Sequence, residues 1–445
     1  MTTPFTDRRS VLAGLAALSA RPALGADAAA SPDVVVIGAG IAGLQAARAL
    51  RASGRSVTVI EAMDRIGGRA YTETAIMGAP YDHGCSWIND GPNNPFVGMA
   101  RREGVDLLNH SEAGEAYFVG DTRATPAQIA AYDRGYGTVT TALNTAGRAG
   151  RDVPAASVLP KDARDTGATQ SWIGPMDFGV DFTDLSTRDW WESAPATPSY
   201  MVPSGLGALV ARHYRDIPVK TGTRATKVDY SGPGVRVETT AGQITAKAAI
   251  VTVSTGVLNA GGLRFAPDLP NATQAAIANL PMGLLAKVAL RFRPGSRFGL
   301  VPNHWLTYHV PDDMPARASF FITWPFGYDY VVGFVGGSFG WDLSRAGQDA
   351  AVRFVLDEFV RVAGSEARKA FVTGHLTDWA QNPATLGAYA AARPGHYDAR
   401  TALARPVADR VFFAGEAMGG SHSALCSGAF KSGDKTARAV DKVLG

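Results

Sequence analysis

Three glycines and a glutamate near the start of the chain have the types and the spacing that hold a dinucleotide. Gly38, Gly40 and Gly43 follow a short apolar run, and Glu61 comes 23 positions after Gly38. In such a loop the first glycine permits a tight turn, the second lets the backbone approach a pyrophosphate, and the third lets a helix pack closely on a strand. The glutamate would accept hydrogen bonds from ribose hydroxyls, which disfavours a nucleotide with a 2′-phosphate. A purely structural glycine turn is the alternative interpretation.

The elements around this loop have the order that a nucleotide site requires. Residues 34–37 and 57–60 are mostly apolar, β-branched runs typical of buried strands, and apolar residues recur at helical spacing between them. A strand, a helix and a second strand would place phosphates at the helix N-terminus, beside Ile41 and Ala42, where free N–H groups and the helix dipole favour an anion. The sequence therefore predicts a βαβ unit.

A second pair of glycines, bracketed by arginines, follows soon after Glu61. Residues 65–69 read Arg-Ile-Gly-Gly-Arg, so Gly68 and Arg69 end the segment. NAD dehydrogenases need no second phosphate-approach loop here, whereas the long, bent FAD does, and an arginine could neutralise its pyrophosphate. We therefore expect FAD, with Ala62 beside the acid that binds the ribose.

Two further segments complete a set of motifs with the glycine loop. Residues 61–69 read Glu-Ala-Met-Asp-Arg-Ile-Gly-Gly-Arg, and residues 413–417 read Phe-Ala-Gly-Glu-Ala. This set resembles the flavin-containing amine oxidase family, which includes monoamine oxidases, polyamine oxidases and flavin-dependent histone demethylases. The resemblance implies an α/β fold in which an FAD-binding Rossmann-type domain, a parallel sheet with a β-meander, is interleaved with an α+β substrate domain. The expected flavin domain comprises 26–110, 200–275 and 378–445, and the expected substrate domain comprises 111–199 and 276–377.

The resemblance also assigns residues to the cofactor. The segment 84–87 would lie along the flavin ring, backbone groups near 225–228 would contact adenine, and Glu416 would bind the ribityl hydroxyls. Some members carry a cysteine bound covalently to the flavin where this chain has Ala388, so the FAD is expected to be non-covalent. The residues expected at the cofactor are Gly38, Gly40, Ile41, Ala42, Gly43, Glu61, Ala62, Gly68, Arg69, Cys85, Ser86, Trp87, Ala225, Val228, Gly415, Glu416, Gly428 and Ala429.

Three residues are expected at the reacting atoms. Lys287 lies in an apolar stretch, where a lysine is costly to bury without a reason, although on a strand its side chain could equally alternate outward to solvent. The resemblance places Lys287 near flavin N5, where we expect it to hold a water. Tyr389 would form one wall of the family's aromatic cage, with Trp379 beside it. The family's second cage aromatic would fall near Leu425, and this chain has no tyrosine there.

The expected substrate pocket combines aromatic and acidic side chains. Acids lie among aromatic residues between 172 and 192 and could attract a cationic amine, although such acids are also common on a loop rim. Either Asp90 or Asp177 would bind a distal ammonium. No metal site is expected. The residues expected around the substrate are Trp87, Asp90, Asp177, Phe326 and Leu425.

The activity implied by the resemblance is FAD-dependent oxidation of a primary or secondary amine to an imine, which water hydrolyses to an aldehyde, with O2 reduced to H2O2. Polyamines are preferred over monoamines, because residues 84–90 followed by Asn94-Pro95 look more like polyamine oxidases. A dehydrogenase that passes electrons to a periplasmic cytochrome or quinone is an alternative, as is a non-catalytic flavoprotein. An L-amino-acid oxidase is disfavoured, since no arginine lies between residues 70 and 100.

The composition and the first residues bear on partners and location. The formal net charge is +3, and removing residues 1–25 takes away three arginines and one aspartate, which leaves about +1. So small a net charge does not favour binding to nucleic acid or to an anionic membrane. The twin arginines in residues 6–12, followed by a weakly apolar run and small residues before Ala26, predict a leader and a bacterial periplasmic location; a disordered N-terminus with a chance arginine pair is the alternative. No other segment is apolar for long enough to form a membrane helix, and a homodimer is left open.

The chain has two cysteines, Cys85 and Cys426. In an exported protein they could form one disulfide, but their pairing cannot be derived from the sequence. Both lie in motifs assigned to the flavin site, so free thiols are expected.

Overall fold

The nucleotide-binding unit begins with the strand, turn and helix that the glycine spacing predicts. The computed structural model describes residues 31–445, so the expected leader lies outside the described residues. Val34–Ile37 forms a fully buried strand, Ile41–Ala52 a helix and Val57–Ile60 a second strand. These three predictions from the apolar pattern are confirmed.

A five-stranded parallel sheet contains both of these strands. Its first strand is covered on two faces: Val34 and Val36 pack with the helices, whereas Val35 and Ile37 pack toward the β-meander. Burial on both faces explains why the run is continuously apolar instead of alternating. In spatial order the strands are Val219–Lys220, Val57–Ile60, Val34–Ile37, Ala248–Val251 and Val411–Phe413.

The predicted meander is present, but two of its segments are divided differently. The strand-like segments 220–228, 234–239 and 243–253 each predict a single strand, and the first and third of them are divided. These two segments split, because a turn with Gly222 in the left-handed region and a break at Lys247 send one part into the parallel sheet. The apolar run 248–253 predicts that the chain returns to the parallel sheet there, and the first four residues of the run, Ala248–Val251, form that strand. The four strands of the meander sheet are Gly242–Ala246, Val235–Thr239, Ala225–Asp229 and Arg264–Ala266.

A seven-stranded mixed sheet holds the other large core. All of its strands fall within the ranges expected for the substrate domain, and all strands of the parallel sheet fall within the ranges expected for the flavin domain. The boundary between the two domains stays a prediction, since residues 32–445 form one compact unit. In spatial order the strands are Phe371–Leu376, Leu285–Phe292, Tyr330–Gly336, Phe320–Thr323, His304–Tyr308, Glu115–Val119 and Thr122–Arg123.

Helices cover the sheets and carry parts of the cavity wall. The longest helix in the described part of the chain, Pro126–Arg148, starts with a capping box in which Thr125 and Gln128 satisfy each other's backbone N–H groups. Among the described residues, no helix is both long and apolar enough to cross a membrane. The helices of eight or more residues are Ile41–Ala52, Pro95–Glu103, Pro126–Arg148, Leu206–His213, Asn271–Ala278, Gly337–Ala346, Gln348–Ala363 and Cys426–Leu444.

Two short antiparallel ladders form separate two-stranded sheets. Met282–Gly283 pairs with Tyr389–Ala390, and Thr72–Glu73 pairs with Tyr81–Asp82. The ladder at Tyr389 connects the start of the lysine-bearing segment to the chain that returns to the parallel sheet. It therefore fixes one cavity wall against both cores.

Candidate active site

A cavity of about 670 Å³ is lined by residues of the glycine loop and of the seven-stranded sheet. This volume is typical of sites for cofactors and small molecules. Most residues expected at the cofactor line it, namely Gly38, Gly40, Ile41, Ala42, Glu61, Ala62, Gly68, Arg69, Cys85, Ser86, Trp87, Ala225, Gly415, Glu416 and Ala429.

Three residues expected at the cofactor lie behind the cavity wall. Val228 is fully buried in the core of the meander and does not line the cavity, so its predicted contact with adenine is wrong; Thr223 and Arg224 line that end instead. Gly43 and Gly428 act through packing: a Cβ at Gly43 would meet the Gly38 carbonyl, and one at Gly428 would meet a neighbouring carbonyl. Both glycines therefore shape the wall without facing the cavity.

The two glycine pairs predicted to hold phosphates are adjacent in space. Gly40 and Gly67 form a parallel bridge, and the Gly67 N–H donates to the Ala39 carbonyl at 2.8 Å. A Cβ placed on Gly40 would have no atom within 4 Å, which means that this backbone faces open cavity. Gly38 has φ of +107°, a conformation that glycine adopts readily. The loop thus offers bare backbone to a pyrophosphate.

Glu61 is buried at the end of its strand, with both carboxylate oxygens held by backbone N–H groups. Oε2 accepts from Ala39 at 2.7 Å and Oε1 accepts from Met63 at 2.8 Å. Each oxygen keeps a further lone pair that can accept a hydroxyl proton. The carboxylate is therefore oriented by the glycine loop and remains able to bind a ribose diol.

Arg69 and Glu416 form an ion pair across the cavity wall. The Arg69 Nη1 donates to Glu416 Oε1 at 3.0 Å and to the Ala388 carbonyl at 2.7 Å. The Ala390 N–H also donates to Glu416, at 3.1 Å. These contacts join the second glycine loop to the segment 388–390 and hold both predicted cofactor residues in place.

Lys287 points inward from its strand and reaches the cavity, so solvent exposure, the alternative for this residue, is excluded. Its Nζ donates to Ser86 Oγ at 2.6 Å and to the Asp82 carbonyl at 3.0 Å, so one of its three N–H donors has no acceptor within residues 31–445. Burial lowers the pKa of Lys287 to about 8, while the nearby Asp82 acts in the opposite direction. The side chain can therefore hold or release a proton near neutral pH.

A second, much smaller cavity of about 20 Å³ lies behind Lys287. It shares Ser86, Trp87 and Lys287 with the large cavity, and Phe326 lines it on the far side. The prediction that Phe326 contacts substrate in the main cavity is therefore wrong, because Phe326 lines this small separate space on the Lys287 face of the sheet and does not line the large cavity. The space is comparable to that of one water molecule.

Tyr389 and Trp379 line the large cavity, as does Leu425. The Tyr389 hydroxyl donates to the Met176 carbonyl at 3.0 Å, and the Trp379 indole N–H donates to the His83 carbonyl at 3.2 Å. Each ring is therefore fixed at its polar end and presents its apolar body to the cavity. Leu425, at the expected position of a second aromatic, supplies an aliphatic wall.

The two acids considered for a distal ammonium differ in position. Asp90 is buried and engaged: His422 Nε2 lies 3.2 Å from its Oδ2, and Asn93 donates to its Oδ1 at 3.0 Å. Because Asp90 does not line the large cavity, its predicted contact with substrate is wrong. Asp177 does line the cavity. Its carboxyl is open to this internal space but deep within the fold, and the resulting desolvation raises the pKa of Asp177 to about 7.

Three tryptophans form an aromatic wall that the sequence interpretation largely missed. Trp87 and Trp305 stack with ring centroids 5.4 Å apart, and Trp172 meets Trp305 edge-on at 5.0 Å. Trp87 also donates to His110 Nδ1 at 3.2 Å, and all four side chains line the cavity. Trp172 and Asp177 belong to the same short π-helix, Trp172–Phe178. The acidic–aromatic composition around 172 was a signal for it, but nothing in the sequence marked Trp305.

Comparison with known proteins identifies the family. Residues 183–441, more than half of the chain, match the model of the flavin containing amine oxidoreductases, and residues 36–102 match an NAD(P)-binding Rossmann-like domain. The chain belongs to the flavin-containing amine oxidoreductase family. It is therefore a flavin-dependent enzyme that oxidises amines, and its cofactor is FAD.

Relatives of this amine oxidoreductase extend over nearly all of its length. It is 26% identical to polyamine oxidase 4 of Oryza sativa subsp. japonica, covering 93% of this chain and 89% of the relative. Two solved structures share the fold. Cyclohexylamine oxidase from Brevibacterium oxydans IH-35A has a TM-score of 0.75 and 23% sequence identity, and the match covers 93% of this chain and 99% of that one. Putrescine oxidase bound to putrescine has a TM-score of 0.76 and 20% sequence identity, and the match covers 92% of this chain and 99% of that one.

The cavity of this amine oxidoreductase fits FAD along most of its length. The open backbone at Gly40 suits the pyrophosphate, and Glu61 suits the adenosine ribose. At the other end the helix Cys426–Leu444 starts beside the cavity with no side chain capping its first N–H groups. Ala388 lines the cavity and offers no sulfur for covalent attachment.

Proposed function

We propose that this amine oxidoreductase acts on a diamine or polyamine and passes the electrons to O2, releasing H2O2. The observation that carries the proposal is Asp177, a carboxyl that faces the cavity with no hydrogen-bond or ion-pair partner among the described residues. A carboxylate in this position can bind an ammonium group that is not being oxidised. The relatives named polyamine oxidase and the fold shared with putrescine oxidase also support it.

The reacting amine needs a different environment from the distal ammonium. A protonated amine cannot be oxidised, because its nitrogen lone pair is occupied. Tyr389 and Trp379 present apolar surface, which favours the neutral amine by desolvation. FAD held by the glycine loop, Glu61 and Glu416 would supply the acceptor for a hydride from the carbon next to nitrogen. The protein's own contribution is to orient the amine, exclude bulk water, and hold one water at Lys287 Nζ.

The aromatic wall supports a long cationic substrate. Trp87 lies within 5.7 Å of Lys287 Nζ, and Trp172 shares its short helix with Asp177. The indole faces therefore extend from the lysine toward the acid, where they can stabilise cationic groups of a bound chain by about 0.5–2 kcal/mol each. A short monoamine would fill less of this wall and leave Asp177 without a partner.

The function is tested by adding amines to the yellow protein under nitrogen and following the flavin absorbance. Spermidine or putrescine should bleach it faster than tyramine or a cyclic secondary amine, and admission of air should release peroxide. Bleaching only by the last two amines would refute the polyamine preference. Rapid reduction of an electron-accepting dye with little peroxide would refute O2 as the acceptor and favour a dehydrogenase.

Substituting Asp177 with Asn should raise the KM for a polyamine about tenfold at pH 8 and leave kcat nearly unchanged. The wild-type carboxyl is neutral below its pKa of about 7 and charged above it, so wild-type affinity for the cation should improve as pH rises from 6 to 8. The variant should lose that dependence. KM is measured from initial rates across this pH range.

Asp184→Asn is the matched control, because Asp184 is an exposed acid of the same segment that does not line the cavity. It should keep the wild-type KM and pH profile. An Asp177→Asn variant with wild-type KM at every pH would remove Asp177 from polyamine binding.

We further propose that the protein works in the bacterial periplasm. The support is the twin-arginine pattern of residues 6–12. Fractionation of cells that express the full chain, with an Arg8→Lys and Arg9→Lys double variant as the control, tests the proposal; equal amounts of both proteins in the periplasm would contradict it.

A further inference from the structure

The two cysteines meet in the wall of the FAD cavity. They lie at opposite ends of the sequence, yet both line the cavity as free thiols, and Cys85 is near enough to Cys426 to raise the pKa of its thiol. They also pack against the same apolar cluster. Because the chain contains no other cysteine, each thiol has one possible partner.

Rigid elements hold both sulfur atoms. Cys85 follows Gly84, whose backbone packs so closely on the Arg69 carbonyl that no Cβ would fit there. Cys426 is the first residue of the helix Cys426–Leu444, which packs along the glycine-loop helix through Gly433 against the Ala42 carbonyl. Neither thiol can move far from the other without displacing an element that lines the cavity.

We propose that Cys85 and Cys426 form a dithiol site that a small-molecule or protein disulfide converts to an intramolecular disulfide in the cavity wall. Two S–H bonds break and one S–S bond forms between the cysteines. The two electrons reduce the external disulfide to two thiols, and these take up the two protons. The proposal concerns the cavity wall and is independent of which amine is oxidised.

The surroundings determine how the reaction starts. The neighbouring Cys85 thiol and burial raise the pKa of the Cys426 thiol; Asp82 acts in the same direction and Arg69 opposes it. A base must therefore remove a proton before the sulfur can attack. Both thiols lie close enough to Lys287 to raise its pKa, and part of Lys287 is a neutral amine at pH 8. The oxidation should therefore be faster at pH 8.5 than at pH 7.

The disulfide would join the segment that passes along the cavity to the helix that closes it. A cross-link between residues so far apart in sequence restricts the unfolded chain strongly. The oxidised protein should therefore unfold at a higher temperature than the reduced protein, by about 3 °C or more, when both are compared without added reductant.

The test uses the full-length protein, with FAD bound and after FAD removal, incubated with oxidised glutathione at pH 8.5. Non-reducing peptide mapping should find the Cys85 and Cys426 peptides joined, with no glutathione attached. Cys85→Ser and Cys426→Ser, which cannot close the bond, should each gain one glutathione instead, and their unfolding temperature should not rise. Wild-type protein that carries glutathione on separate peptides, or keeps two free thiols in both preparations, would overturn the proposal.

Discussion

Replacing Lys287 with Met should lower turnover in air about 100-fold while FAD stays bound, a loss typical of removing a group that positions or transfers a proton. The substitution keeps most of the side-chain volume but removes the donors to Ser86 Oγ and the Asp82 carbonyl, together with the positive charge. Since Lys287 does not contact the pyrophosphate loop, the flavin content of the purified protein should remain that of the wild type.

The pH dependence identifies which form of the lysine is needed. The pKa of Lys287 lies near 8, so the ammonium dominates below pH 8 and the neutral amine above it. In the proposed reaction with O2, a positive charge at Nζ favours electron transfer onto O2, so the rate of reoxidation should fall as pH rises through about 8 in the wild type. The Met variant should show a slow rate that does not change over this range.

Stopped-flow measurements separate the two half-reactions: reduction by amine under nitrogen, and reoxidation after mixing with air. Lys227→Met is the matched control, because Lys227 also lies on a strand but is partly exposed and paired with Glu238. The Lys227→Met variant should have the wild-type rates of reduction and of reoxidation. If Lys287→Met kept wild-type rates of reduction and reoxidation, the proposed role of Lys287 would be wrong.

The second large effect is expected on stability, at the buried ion pair of Asp189 and Arg400. The guanidinium donates to both carboxylate oxygens, at 2.9 and 2.7 Å, and also to the carbonyls of Ala417 and Ala390. Asp189 in turn accepts from the Ala392 N–H at 2.9 Å. Removing either partner leaves an uncompensated buried charge and should lower the free energy of unfolding by about 3–5 kcal/mol.

Urea denaturation of Asp189→Leu, Arg400→Leu and the double variant measures this effect. The double variant should be more stable than the less stable single variant, because it leaves no unpaired charge. Arg345→Ala breaks an exposed pair with Asp342 at 2.9 Å and should cost less than about 0.5 kcal/mol. Equal, small losses in all four variants would show that the buried pair does not stabilise the fold.

The parts that could be predicted from sequence depend on local patterns. The glycine loop, the first helix and the first two strands follow from residue spacing, since a tight turn and a buried parallel strand each require particular residue types. The inward orientation of Lys287 could not be derived in this way: on a strand both orientations are sterically allowed, and Ser86, which accepts its hydrogen bond, comes from a distant segment.

The errors have a common physical origin. Asp90 and Phe326 were placed in the pocket from their neighbours in sequence, but Asp90 is bound by His422, and Phe326 lines the small cavity instead of the large one. Both outcomes depend on contacts between residues far apart in the chain. Trp305 was missed for the same reason, because a tryptophan on a strand faces a cavity only when other segments create that cavity.

The order of strands in the parallel sheet has a consequence for biosynthesis. The strand Val411–Phe413 and the helix Cys426–Leu444 come roughly 370 positions or more after the first strand, yet they belong to the same nucleotide-binding unit. During synthesis on the ribosome the glycine loop can form early. That later strand and helix are made only after several hundred further residues. Capture of the flavin should accordingly be a late event, and the unfinished sheet must stay unaggregated until then.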